Sequence, residues 1–240
     1  MREAQMIRVF IGYSRSAPVA SSVAALSINR RASRPVAITH LALNQLEEIY
    51  TRPRHELQST DFSFSRFLTP YLAGFADWAI FMDDDMLVLD DIAKLWDLRD
   101  DRYAVQVVKH DHVPKEDVKF LDRVQTKYEK KNWSSVMLFN CARCTALTPD
   151  YVNSATGLEL HQFKWLGDDG LIGELPHRWN HLADYDPSVP VKDVSIVHYT
   201  LGGPFYDDYR DCAYSGEWRA EREMMLHCDQ RMARPVAKSG

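Results

Sequence analysis

Between Trp78 and Trp96 the chain reads WAIFMDDDMLVLDDIAKLW, an apolar run that climbs into three consecutive carboxylates, Asp83, Asp84 and Asp85, and then turns apolar again. Like charges packed this closely repel unless a counter-charge sits among them, and a hard divalent cation with oxygen ligands is the usual one. Residues two apart on an extended segment point to the same side, so Asp83 and Asp85 can converge on one ion while Asp84 faces the other way. His198, in SIVHYTLGG, is either a core histidine or, at a strand-to-loop edge, the third ligand. Two carboxylates and an imidazole suit Mn2+ or Mg2+ better than a structural zinc, which favours thiolates or more imidazoles. The remaining coordination positions would accept a diphosphate. An acidic triplet alone more often marks a solvated loop; the flanking WAIFM and LVL place this one at a strand terminus.

The elements that must hold these residues follow from pattern. Arg8 to Tyr13 reads as a buried strand, Ser16 to Asn29 as a helix and Pro35 to Leu43 as a second strand, which together make a parallel crossover unit. Asp61 to Leu72 reads as one helix, capped by Thr60 or Asp61 and shortened or kinked at Pro70. Trp78 to Met82 is a third strand, so the aspartates sit at its C-terminal end, the edge of an open α/β sheet where ligands bind. Asp91 to Leu98 is the next helix, with Asp90 and Asp91 as its caps. Tyr103 to Val108 and Ser134 to Asn140 read as strands, Tyr151 to Phe163 as a helix and Ser195 to Tyr199 as a short late strand. Glu116 to Lys131 is a solvated helix or a flap, and the last 30 residues of the sequence read as a helical tail. The expected fold class is α/β: one domain with a mostly parallel central sheet flanked by helices, a core over about 7–206 and a helical tail over about 207–240.

At 240 residues with 45% apolar content, the chain can fill one large core. A net charge of -5, with its 29 Lys and Arg scattered, gives no footprint for nucleic acid. No apolar run reaches the roughly 18 to 20 residues of a membrane-spanning helix, and MREAQMIRVF lacks a signal-peptide core, so the expectation is a cytoplasmic protein. Cys141 and Cys144 form a lone CxxC, which reads as two partly buried thiols before half a zinc site or a redox couple.

FMDDDMLVLDDIAKLW resembles the aspartate-any-aspartate signature of family 8 glycosyltransferases, the group of glycogenin and bacterial lipopolysaccharide galactosyltransferases. SFSRFLTPYL, SSVMLFN, GDDGLIGELPHRWN and IVHYTLGGPF resemble further segments of that family, in the family's order, over most of residues 7–206. The resemblance implies an A-type glycosyltransferase fold and a retaining transfer of a hexosyl group from a nucleotide sugar, UDP-sugar by preference, to a sugar, lipid or protein acceptor. It assigns Asp83, Asp85 and His198 to the metal, Asp84 to the ribose, Tyr13 and Ser14 to the nucleobase, and Arg66 to the donor sugar or the neighbouring aspartate. Asp168 matches a residue that holds sugar hydroxyls. Asp169 stands where the family carries Gln, near the sugar face opposite the leaving group, where a carboxylate could act as nucleophile or stabilise an oxocarbenium ion. The family lysine before Pro-Trp is replaced by Gly203, which leaves the backbone N–H groups of Gly202 and Gly203 to help neutralise the leaving phosphate.

Other readings stand beside these. Arg66 could be a surface arginine paired with Asp61 or Asp77. His110 and His112 in KHDHV could bind a metal themselves, lie on a solvated loop or face an acceptor. Trp133, Trp165 and Trp179 are core residues or sugar platforms. A nucleotidyltransferase would want a glycine-rich, lysine-bearing loop after the first strand, and a phosphohydrolase an aspartyl nucleophile there; GYSRSAPVA offers neither. A sugar-nucleotide binding module without turnover is the remaining alternative, and peripheral membrane association stays open.

Overall fold

The computed structural model of the chain describes residues 6–54, 58, 60–111, 118–119, 123–124 and 129–227. In chain order its elements are β1 (Ile7–Gly12), α1 (Pro18–Arg31), β2 (Val36–Leu41), α2 (Thr69–Leu72), β3 (Trp78–Met82), β4 (Met86–Val88), α3 (Ile92–Trp96), β5 (Val105–Val107), β6 (Val118–Lys119), β7 (Arg123–Val124) and β8 (Val136–Asn140). They continue with α4 (Pro149–Ser154), α5 (Gly157–His161), β9 (Ile172–Glu174), β10 (His181–Leu182), β11 (Ile196–His198) and α6 (Ser215–Leu226).

The main sheet runs β2-β1-β3-β8-β5-β9. The β1–β2, β1–β3 and β5–β9 pairs are parallel, and β8 alone runs against its neighbours β3 and β5. Both faces of the central strands are covered, since Phe10 and Phe81 join one apolar cluster while Val9, Ile11, Ile80 and Met82 join another. Burial on both faces is why β1 and β3 read as continuous apolar runs. The chain passes from β1 to β2 on one side and to β3 on the other, and such a switch opens a crevice beyond the strands' carboxyl ends. Ser14 and Asp83 stand at that crevice. At Gly12 a Cβ would lie 2.5 Å from the Phe62 ring, so the turn out of β1 has room for hydrogen only.

A second small sheet runs β10-β11-β4. Here β4 and β11 pair antiparallel, with His198 opposite Met86 and Val197 opposite Leu87. Tyr199 continues that ladder by donating its N–H to the Asp85 carbonyl at 2.9 Å. Helix α1 backs onto β4: Ser27 Oγ accepts the Val88 N–H at 3.1 Å. Helix α6 lies against α1, with Trp218 buried in a third apolar cluster and Glu221 paired with Arg30 and Arg31.

Several elements differ from the sequence reading. Residues 61–72 are not one helix: a turn leads to a 3-10 segment, Ser65–Leu68, and only then to α2. Asp61 does not cap, because its carboxylate takes the Arg15 N–H and the Arg54 guanidinium instead. Pro70 lies in the first turn of α2, where its missing N–H costs nothing, so it starts a helix and does not kink one. The expected helix over 151–163 is two, α4 capped by Thr148 and α5 opened by a capping box between Thr156 and Glu159. Within 116–131, β6 and β7 pair antiparallel where a helix was one expectation; residues 116–117, 120–122 and 125–128 lie outside the described residues, as does His112. Asp91 is the N-cap of α3, whereas Asp90 pairs with Lys94 and Arg178. Among the described residues no helix is long and apolar enough to cross a membrane.

Candidate active site

β3 ends at Met82, and the next residue, Asp83, keeps the strand's pairing by donating its N–H to the Ser135 carbonyl at 3.0 Å. That extended conformation sends Asp83 and Asp84 to opposite partners. Asp83 pairs with Arg66 at 2.7 Å, and Arg66 also donates to the Ser134 carbonyl at 2.9 Å. Arg66 is 5% exposed, so it is a buried site residue and not a surface arginine paired with Asp61 or Asp77. Asp84 accepts the Ser14 N–H at 3.0 Å, linking the ends of β1 and β3. Burial first, then the like charge of Asp85, raises the Asp84 carboxyl well above its ordinary range, against the pull of its bonds to Ser14.

The third aspartate faces the late strand. Asp85 Oδ1 lies 3.4 Å from His198 Nε2. On its far side the His198 ring meets Asn180: Nδ1 lies 3.0 Å from the amide oxygen Oδ1. The orientation of that amide follows from its nitrogen, which donates to Ser135 Oγ at 2.8 Å and to the Asn132 carbonyl at 3.3 Å. His198 Nδ1 is therefore the donor, and in the neutral ring Nε2 carries a lone pair aimed at a carboxylate oxygen. Asp85 Oδ1 is buried and accepts no hydrogen bond among the described residues. With the ring neutral, a cation between these two atoms would satisfy both. Ligand atoms of Asp83, Asp85 and His198 all lie within 4.8 Å of one another, a donor set that fits a hard divalent ion.

The three aspartates and His198 line a cavity of about 1020 Å³. Arg15, Arg52, Arg54 and Lys131 line it too, giving the aspartate pole a basic counterpart of the kind that takes phosphate oxygens. Ser14, Arg66 and Gly202 are also in the wall, as is His161, whose Nδ1 lies 2.8 Å from Ser134 Oγ.

Other expected site residues stand apart from this wall. Tyr13 meets His40 edge-on at 6.1 Å and is not among the lining residues. Asp168 accepts the Gly170 N–H at 2.8 Å as the cap of a short turn, and Asp169 pairs with Lys130 at 2.6 Å with its side chain 68% exposed. Neither lines the cavity. The Gly202 N–H is bonded to the Tyr199 carbonyl at 3.0 Å, which takes it out of reach of a phosphate. Gly202 itself has φ +149° and sits under the Tyr209 ring, so it shapes the loop. Gly203 is not in the wall. Trp165 and Trp179 are core residues, and Trp133 packs against the core while donating to the His110 carbonyl at 3.0 Å.

Sequence reasoning missed Asn180, Asn132, Ser135, His161 and the basic wall. Asn132 alone carries a local oddity, a left-handed φ of 65°. Cys141 and Cys144 are free, buried thiols whose Sγ atoms bond backbone carbonyls, and burial pushes the Cys141 thiol up to about 12.

The family model described as glycosyl transferase family 8 matches residues 23–146, more than half of the chain. Protein CDI of Arabidopsis thaliana is 44% identical over 228 residues, which covers 92% of this chain and 88% of that protein. The chain belongs to glycosyl transferase family 8. Among solved structures, this family 8 glycosyltransferase is similar to the galactosyltransferase LgtC, determined with donor and acceptor sugar analogues, at a TM-score of 0.59 and 14% identity over 95% of this chain and 99% of that one. It is similar also to the glycosyltransferase GlyE of Streptococcus pneumoniae TIGR4, at a TM-score of 0.62 and 16% identity over 92% of this chain. It spans 61% of the GlyE chain and 52% of the bifunctional WbbM glycosyltransferase. At such identities the likeness shows the fold, which is the A-type glycosyltransferase fold.

Proposed function

We propose that this family 8 glycosyltransferase moves a hexosyl group from a nucleotide sugar, with UDP as the preferred carrier, to an acceptor hydroxyl with retention of configuration. In this reading Asp83, Asp85 and His198 hold one divalent cation, Mn2+ or Mg2+, and the chain works as one domain with its core over about 7–206 and its tail over about 207–240. The observation that carries the reading is the Asp85–His198 contact: a carboxylate oxygen and an imidazole nitrogen facing each other at 3.4 Å, with the ring held from behind by Asn180. Asp83, Asp85 and His198 would hold the cation, which would supply Lewis-acid stabilisation of the departing diphosphate, a contribution of several kcal/mol to lowering the barrier.

The chain's own residues do the rest. Asn180 holds His198 by Nδ1, so that in the neutral ring Nε2 is the ligand nitrogen facing Asp85. Arg66 fixes the Asp83 carboxylate before any ligand arrives, so less ordering is left to the moment of binding. Asp84, bonded to the Ser14 N–H, sits at the crevice end of β1 and β3, the place for a ribose. Arg52, Arg54 and Lys131 line the same cavity and would supply positive charge for phosphate oxygens, Arg54 sharing its charge with Asp61. Asp169, tied to Lys130 outside that wall, is given no step.

The test is thermal unfolding with UDP, with and without Mn2+, in the wild-type enzyme and in Asp85→Asn. Stabilisation that needs both ligands in the wild type, and is absent from the variant, is expected. A UDP shift of equal size after chelation, or in Asp85→Asn, would refute the assignment. Release or transfer of radiolabelled sugar from UDP-hexoses then separates turnover from a binding module.

A further inference from the structure

A second group of metal-ligating side chains stands away from the cavity. His110 follows β5, His177 opens the turn before β10, His181 is the first residue of β10, and Asp186 lies in the loop after it. None of the four lines the cavity described above. Ligand atoms of His110, His177 and Asp186 all lie within 4.8 Å of one another. Asp186 Oδ2 is the hub: it is 3.3 Å from His177 Nε2 and 3.6 Å from His181 Nδ1. Ligands at bond lengths of about 2.0 to 2.1 Å around a tetrahedral zinc stand roughly 3.4 Å apart, so both separations match an edge of that polyhedron.

The protons around His181 point the same way. Its Nε2 lies 3.1 Å from Tyr214 Oη. The single hydrogen of that hydroxyl goes to the Val189 carbonyl at 2.9 Å, and the Val189 N–H donates back to the hydroxyl at 3.3 Å. The tyrosine can then only accept from His181, which puts the ring hydrogen on Nε2. In the neutral ring Nδ1 is left with a lone pair directed at the Asp186 carboxylate. Asp186 is itself oriented by the Leu182 N–H, which donates to Oδ2 at 2.6 Å. A lone pair facing a carboxylate oxygen, with each group held by a backbone or tyrosyl partner from behind, is the arrangement that surrounds a protein-bound transition metal.

The geometry points to a second cation site, built from His110, His177 and Asp186, with His181 beside Asp186, and selective for a zinc-class transition metal. Its imidazole-rich set contrasts with the carboxylate-rich set of Asp83, Asp85 and His198, and by ligand softness the two would sort different ions. The location gives it a role. His177 and His181 bracket Asn180, the residue that holds His198, so an ion here would pin the segment that orients a ligand of the first site.

The test is a calorimetric Zn2+ titration of tag-free protein in excess Mg2+, on the wild type, His177→Ala and Asp85→Asn. The His177 side chain is 53% exposed, so its removal leaves the fold intact, which an unchanged melting temperature without metal would verify. One Zn2+ per chain in the wild type and in Asp85→Asn, with affinity at least tenfold weaker in His177→Ala, is the expected result. No stoichiometric zinc in the wild type, equal zinc affinity in His177→Ala, or loss of zinc in Asp85→Asn would each overturn the proposal.

Discussion

Asn180 shows how one side chain decides the chemistry of another. Its amide oxygen receives the His198 Nδ1 hydrogen while its nitrogen is anchored on Ser135 and Asn132. Asn180→Ala should weaken Mn2+-dependent UDP binding by about 10- to 100-fold, read as Kd from a titration at fixed Mn2+, with metal-independent binding unchanged. The buried thiols give a second expectation at this scale. With burial pushing Cys141 up to about 12 and Cys144 higher still, both stay protonated at pH 8. Mass spectrometry after iodoacetamide treatment should find them unlabelled in the native protein and fully labelled in denaturant. The aspartates were legible in the sequence because a period of two after a buried strand fixes which carboxylates share a side. Asn180 was not, because nothing in HRWN marks it; only the pairing of β10 with β11 carries it to His198.

Elements set where the cavity wall stands. Helix α5 delivers His161 to that wall, and its first turn is held by the reciprocal bonds of Thr156 and Glu159. Thr156→Ala should lower stability by about 1 kcal/mol, measured by urea denaturation, with Glu159→Ala costing less. The Thr-x-x-Glu spacing of Thr156 and Glu159 is a helix-start signal inside the 151–163 segment that competes there with continuous helical periodicity. The 3-10 course of Ser65–Leu68 was less accessible, because it follows from long-range demands on Asp61 and Arg66. Strands of two or three residues, as in β4 and β10, give too short a pattern to read, whereas β11 was legible within Ser195–Tyr199; the pairing of all three is a tertiary outcome.

At the scale of the molecule, the parallel crossover was readable from the order of apolar runs, while the strand order that makes the switch point and the docking of α6 on α1 were not. Glu221 is 2% exposed and takes bonds from both Arg30 and Arg31. Because those arginines are partly in solvent, Glu221→Gln should cost about 2 kcal/mol of stability in chemical denaturation and leave Mn2+ and UDP affinity as they were. The small sheet carries a different consequence. Asp85 precedes Met86, Met86 pairs with His198, and the Tyr199 N–H closes on the Asp85 carbonyl, so hydrogen bonds between strands already fix the gap that an ion would fill. Stripping the enzyme with a chelator should then leave its circular dichroism unchanged, and adding Mn2+ back should restore sugar transfer as fast as the solutions mix. A recovery lagging by minutes would mean that the ion itself assembles its own berth.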